Sequence, residues 1–102
     1  MITLTTNASG DASNESVILF AGQRYSLQWG DDFLDGPSTG TLTLKTFWDG
    51  GGSATPTIGT YDLSAVSSGI LEFTPAYNAT LYAVIAGGGV SKVLHIAVAP
   101  IK

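Results

Sequence analysis

The chain has 102 residues, enough for one domain spanning 1–102, with 44% hydrophobic but only 12% charged residues. Its net charge of −4 leaves Arg24, Lys45, Lys92 and Lys102 as scattered cations, which excludes a basic nucleic-acid footprint and an attraction to an acidic membrane surface. There is no cysteine, so disulfides, thiolate catalysis and thiol metal sites are excluded.

Thr, Ser and Gly stand where charge would normally be, a composition of strands and turns. A mean hydropathy of +0.27 with so little charge points to apolar surface covered by a partner or by copies of the chain. The absence of disulfides leans toward a cytosolic assembly site or a microbial or viral source. Met1-Ile2-Thr3-Leu4 lacks the basic and apolar regions of a signal peptide. No apolar run approaches the ~20 residues of a spanning helix.

In chain order, residues 2–6 read as a first strand with Ile2 and Leu4 on one face, and 7–14 as a polar loop. Residues 17–20 are apolar without alternation. Residues 23–29 alternate, with Tyr25, Leu27 and Trp29 opposite Arg24, Ser26 and Gln28, the period of a half-buried strand. Residues 30–40 are turn-rich around Asp35-Gly36-Pro37. Residues 41–48 alternate again, with Leu42, Leu44 and Trp48 on one face, Thr46 interrupting it, and Phe47 on the other. Residues 49–56 form a Gly-rich loop, 57–63 a short strand, and 64–68 a polar connection. The stretch 69–99 reads as strand, corner, strand, tight turn, strand, with Gly87-Gly88-Gly89 as a hairpin tip and Pro100 as the stop. About seven strands with turn signals between them predict an all-β antiparallel sandwich.

The sequence carries no complete catalytic set. Glu15 and Glu72 are the only glutamates and no motif pairs them as the acid and base of a glycosidase. His95 is the sole histidine, no G-x-S-x-G accompanies it, and a surface or interface role is expected. Asp31, Asp32 and Asp35, with Asp49 further on, do not have EF-hand spacing and read as a solvated acidic loop rather than a calcium site. Neither glycine triplet precedes a helix or matches a phosphate loop. Three Asn-x-Ser/Thr triplets, at Asn7, Asn14 and Asn78, follow simply from the abundance of those residues. No cofactor, metal or small-molecule substrate is expected. Trp29 and Trp48 share faces with leucine and are expected in the core, while Phe47 is the better candidate for an exposed aromatic.

Asn78-x-Thr80-x-Tyr82-x-Val84 resembles the strand-F pattern of immunoglobulin-like domains, although both cysteines and the strand-C tryptophan are missing. The resemblance implies an Ig-like sandwich, a Tyr82 hydroxyl bonded back to the corner backbone, and Leu27 facing Val84 between the sheets. The chain as a whole is short and Thr/Gly/Ala-rich, and its SGILEFTPAYNATLYAVI segment is followed by a short strand and a stop. In this it resembles the small β-sandwich proteins of tailed-bacteriophage virions, including Ig-like capsid decoration (cement) proteins. That resemblance implies a non-enzymatic protein on the capsid exterior, assembled in the host cytoplasm. It would bind the major capsid protein, as a trimer, and stabilise the head. Contacts are expected from Met1, Ile2, Thr3 and Leu4 in the segment 1–6, adding as a strand to another sheet. The loop tips 31–39 (Asp31, Asp32, Phe33) and 49–55 are expected to contribute, with Phe47. The alternative is a carbohydrate- or receptor-binding module of a phage fibre or bacterial surface protein, marked by exposed aromatics beside Asp or Asn in one set of loops.

Overall fold

Period-two alternation builds eight strands in the computed structural model: β1 (Ile2–Thr5), β2 (Ala12–Leu19), β3 (Tyr25–Asp31), β4 (Thr41–Trp48), β5 (Thr57–Asp62), β6 (Ser68–Phe73), β7 (Ala79–Ala86) and β8 (Val93–Pro100). The structure describes residues 1–49 and 55–102; Gly50-Gly51-Gly52 and most of the loop 49–55 lie outside the described residues. The strands form two antiparallel four-stranded sheets, β1-β8-β3-β6 and β2-β7-β4-β5. Leu4, Leu27, Trp29, Leu94 and Ile96 point inward from the first sheet. Leu19, Leu42, Leu44, Leu81, Ala83 and Ile85 meet them from the second. Burying each Leu or Ile this fully contributes about 1.5–3 kcal/mol relative to leaving it in water. The all-β sandwich is thus as the alternation predicts.

The finer wiring differs from the immunoglobulin pattern. Only β4 and β5 are neighbours both in sequence and within one sheet; every other connection crosses between sheets. This is the double Greek-key order of a jelly roll. The glycine triplet is one place where the difference is made. Gly87 and Gly89 have φ of 71° and 84°, turning the chain from β7 into the other sheet instead of back along its own. The triplet is therefore a corner, not a hairpin tip. Val90, Ser91 and Lys92 belong to that corner, and the last strand starts at Val93.

Two strand-level expectations change with it. Tyr82 lies within β7 on the outer face, opposite Lys45 of β4, and its hydroxyl has no hydrogen-bond partner among the described residues. Val84 faces outward too, so it does not meet Leu27. Leu81, Ala83 and Ile85 take the inward positions instead. Second, β2 reaches back into the polar stretch Ala12-Ser13-Asn14. Its register against β7 shifts between Asn14 and Val17, and that bulge breaks the alternation that would have announced a strand. Trp29 is buried as expected, its ring 5.0 Å from that of Tyr61. Opposite it on β6, Gly69 makes room: a Cβ there would lie 2.5 Å from the indole Nε1.

Candidate functional site

One end of the sandwich brings together the C-terminal ends of β2 and β4, the start of β7, and the β2–β3 and β6–β7 loops. A buried tyrosine organises it. The Phe20 N–H donates to the Tyr25 hydroxyl at 2.8 Å, and the Tyr25 ring lies on Phe73, centroids 5.9 Å apart. The bond from a tyrosine hydroxyl to backbone five residues upstream is the tyrosine-corner interaction. It falls to Tyr25 and not to Tyr82. The two loops are then tied together by the Gly22 N–H donating to the Pro75 carbonyl at 2.9 Å.

Asn78 fixes the rest. Its Oδ1 accepts from the Ala21 N–H at 2.9 Å, and its carbonyl accepts from the Asp49 N–H at 2.8 Å. Its side-chain NH₂ has no partner among the described residues, and neither does the Asp49 carboxylate. Trp48 continues the inward face of β4 but reaches past the core and is only half-buried. Its ring stacks on Tyr77, with centroids 5.1 Å apart and planes at 13°. This corrects the expectation of a core Trp48: the strand outruns the facing sheet, and the indole finds its cover in a loop tyrosine.

The result is a trough with Asn78 at its centre. On one side is a depression of about 280 Å³ lined by Ala21, Ala76, Tyr77 and Asn78. On the other is one of about 270 Å³ lined by Ile18, Phe20, Asp49, Asn78, Ala79 and Thr80. Tyr77 is 49% exposed and Phe20 61%, so each side presents an aromatic ring to solvent. Phe47 pairs with Thr80, which pairs with Ile18, and this outward row continues the trough across the sheet. Apolar ring faces beside an amide NH₂ and a carboxylate suit a ligand that alternates C–H faces with hydroxyls.

A larger depression of about 390 Å³ lies toward the other end of the same sheet, with Tyr82, Asn7, Asp11 and Ser13 in its lining. Two of its polar atoms shape loops. Asn7 Oδ1 accepts from the Ser9 and Asp11 N–H groups at 2.9 and 3.1 Å, and Asp11 Oδ1 from the Gly87 N–H at 3.2 Å. With one aromatic ring against the trough's two, it is the poorer stacking surface.

No protein-family model and no curated protein sequence matches the chain. Solved structures do match its fold. The Yersinia pseudotuberculosis-derived mitogen superposes with a TM-score of 0.59 at 13% identity, over 95% of this chain and 80% of that one. The N-terminal cellulose-binding domain of Cellulomonas fimi β-1,4-glucanase C gives a TM-score of 0.56 at 13% identity, over 98% and 78%. A family 29 carbohydrate-binding module gives 0.52 at 12% identity, over 93% of this chain and 64% of that one. At these identities the likeness is one of fold, a β-sandwich.

Of the residues singled out from the sequence as candidate contacts or ligands, Phe47 comes near the trough and Asp49, at the start of the loop tip 49–55, lines it. Ile2 and Leu4 are core residues of β1, which pairs with β8 of its own sheet and leaves one edge free. Met1 and Thr3 are exposed beside them. The Thr3 hydroxyl lies 3.2 Å from His95 Nδ1, and His95 Nε2 lies 3.3 Å from Asp32 Oδ1. This chain ties β1 and β8 to the β3–β4 loop, at the end away from the trough. Asp31 ends β3, and Asp32, Phe33 and Asp35 sit in that loop, whereas Asp49 is at the trough, so the four aspartates do not form one cluster. Among the described residues no group of three or more His, Asp or Glu is placed to hold a metal ion. Phe20, Tyr77 and Asn78 were not anticipated as a site. Their signal was present only as an aromatic and an asparagine two and three positions after Pro75, and as a phenylalanine following the last inward residue of β2.

Proposed function

We propose that the protein is a non-catalytic carbohydrate-binding module whose trough takes a neutral oligosaccharide. The observation that carries this reading is the pair of exposed rings, Phe20 and Tyr77, flanking the Asn78 side-chain NH₂, which has no partner among the described residues, and the Asp49 carboxylate. Sugar rings stack on aromatic faces, and their hydroxyls need such donors and acceptors to fix orientation. The fold it shares with a cellulose-binding domain and a family 29 carbohydrate-binding module supports the reading. A glycan array of neutral and acidic oligosaccharides, followed by calorimetry on the best binder, tests it. Saturable binding to a neutral glycan, lost in Phe20→Ala, is expected; no binding at millimolar glycan would sink the reading.

A second proposal, decoration of a phage capsid, is favoured by one observation: the end opposite the trough carries exposed apolar loop tips, a surface suited to a protein partner. Co-sedimentation of the purified chain with capsids lacking it would test this, and a chain left wholly in the supernatant would remove it.

A further inference from the structure

Residues 32–36 form one closed backbone turn, the Gly36 N–H donating to the Asp32 carbonyl at 2.9 Å. Its base is fastened by three backbone bonds to two neighbours, Ser67 and Val93. The Asp31 N–H donates to Ser67 O at 3.0 Å and the Asp32 N–H to Val93 O at 3.0 Å, while the Val93 N–H donates to Asp35 O at 2.8 Å. His95 holds the Asp32 carboxylate at 3.3 Å, and Pro37 is buried behind the turn. This fastened turn nevertheless points two large apolar side chains straight into water. Phe33 is 96% exposed and Leu34 81%. Val66, next to Ser67, and Val90, on the corner leading to Val93, are exposed at the same end. Asp31 and Asp35 flank the pair in sequence, and their carboxylates take part in no ion pair among the described residues; Lys92, next to Val93, forms none with them.

We propose that this end docks on a partner protein through an apolar pocket that receives Phe33 and Leu34 and is rimmed by Arg or Lys side chains. A turn already held by backbone bonds loses little freedom when it docks. An aromatic anchor entering a dry pocket inside a polar rim is the pattern of an interface hot spot. The carboxylates Asp31, Asp32 and Asp35 select a cationic rim and speed the encounter. They also exclude two other occupants. A second copy meeting this face to face would oppose two identical sets of aspartates on chains each carrying a charge of −4. An anionic bilayer repels them likewise. The proposal does not depend on the glycan reading, and the partner need not be a capsid subunit.

The test places p-benzoylphenylalanine at position 34 of the full chain and photo-crosslinks it in an extract of the native source. The crosslinked protein is identified by mass spectrometry, purified and titrated by calorimetry. Its affinity is expected to fall at least about tenfold with the double substitution Phe33→Ser/Leu34→Ser. With Asp31→Asn/Asp35→Asn it should fall about threefold to tenfold, and the wild-type affinity should weaken as salt rises. Both variants should melt with the wild type and keep any glycan binding, which separates this surface from the trough. The proposal is overturned if crosslinks join only copies of this chain or do not exceed those from a probe at Lys102. It is equally overturned if the purified protein binds all variants alike, or if phosphatidylcholine/phosphatidylserine vesicles bind the wild type but not Phe33→Ser/Leu34→Ser.

Discussion

Both ends of the sandwich carry exposed apolar side chains, yet they are built by opposite means. At the trough, a few side chains organise loops: Tyr25 holds Phe20, Asn78 holds Ala21, and Trp48 stacks on Tyr77. At the other end the backbone does the work. The β1–β2, β3–β4 and β7–β8 connections lock together around glycines, with the Gly88 N–H donating to Gly10 O at 2.8 Å and the Thr39 hydroxyl to Gly87 O at 2.9 Å. Thr6 adds a buried hydroxyl that donates to Gly89 O and accepts from the Lys92 N–H at 2.7 Å. Side chains that hold loops also shape a surface for a ligand. Backbone that holds loops leaves the tips free to project, as Phe33 and Leu34 do.

The comparison breaks most visibly at Gly40. Its φ is +88°, and a Cβ there would run into the Ala86 carbonyl of the backbone. Gly40→Ala should therefore cost about 2–4 kcal/mol of stability, read as a lower urea midpoint with unchanged slope. A loss under ~1 kcal/mol would mean that the glycine end is not the latched one. At the trough, Tyr77→Ala should lower the melting temperature by a few degrees, because Trp48 loses its cover, and reduce affinity for the bound glycan by about tenfold or more. Unaltered affinity in calorimetry would move the site away from this end.

Tyr25→Phe sharpens the claim that one hydroxyl positions the exposed ring. Removing it leaves the Phe20 N–H without its acceptor, so stability should drop by about 1–2 kcal/mol and glycan affinity several-fold. A loss of stability with full affinity would show that Phe20 is placed by other contacts. The smallest effect belongs to the glycine end. There the Ser64 hydroxyl, and then the Ser64 N–H, bond Asp62 Oδ1 at 2.6 and 3.0 Å and hold its carboxyl below the ordinary value of 3.8. A carboxyl that ionises more readily folded than unfolded stabilises the fold above pH 3.8, and that contribution disappears as pH falls through the lowered value. Wild type and Ser64→Ala should thus differ slightly in melting temperature at neutral pH and converge in acid. A gap that widened in acid would contradict the assignment.

The difference between the ends also explains how much could be read in advance. Alternation in 23–29 and 41–48 identified Tyr25, Leu27, Trp29, Leu42 and Leu44 as inward, because a strand facing a core on one side must alternate. The same rule put Trp48 in the core, since sequence does not show where the facing sheet stops. It missed the first half of β2, because a bulge removes the period on which the rule depends. Asp31, Asp32 and Phe33 stood out from the sequence as a loop, but that Phe33 points to water while the backbone around it is fastened is a tertiary fact. Phe20 and Asn78, 58 positions apart in the sequence, become neighbours only when the two loops are tied together.

The sequence by itself determined the class of the fold: two layers of antiparallel strands, without a helix, enclosing a Leu- and Ile-rich core. That information is local, since period two and turn residues act over a few positions. The tertiary structure alone decided the jelly-roll wiring, the conversion of Gly87-Gly88-Gly89 from hairpin tip to corner, and the transfer of the tyrosine-corner bond from Tyr82 to Tyr25. Each depends on which strands become neighbours, and pairings such as β1 with β8 are set by the packing of the whole chain, not by any stretch of it.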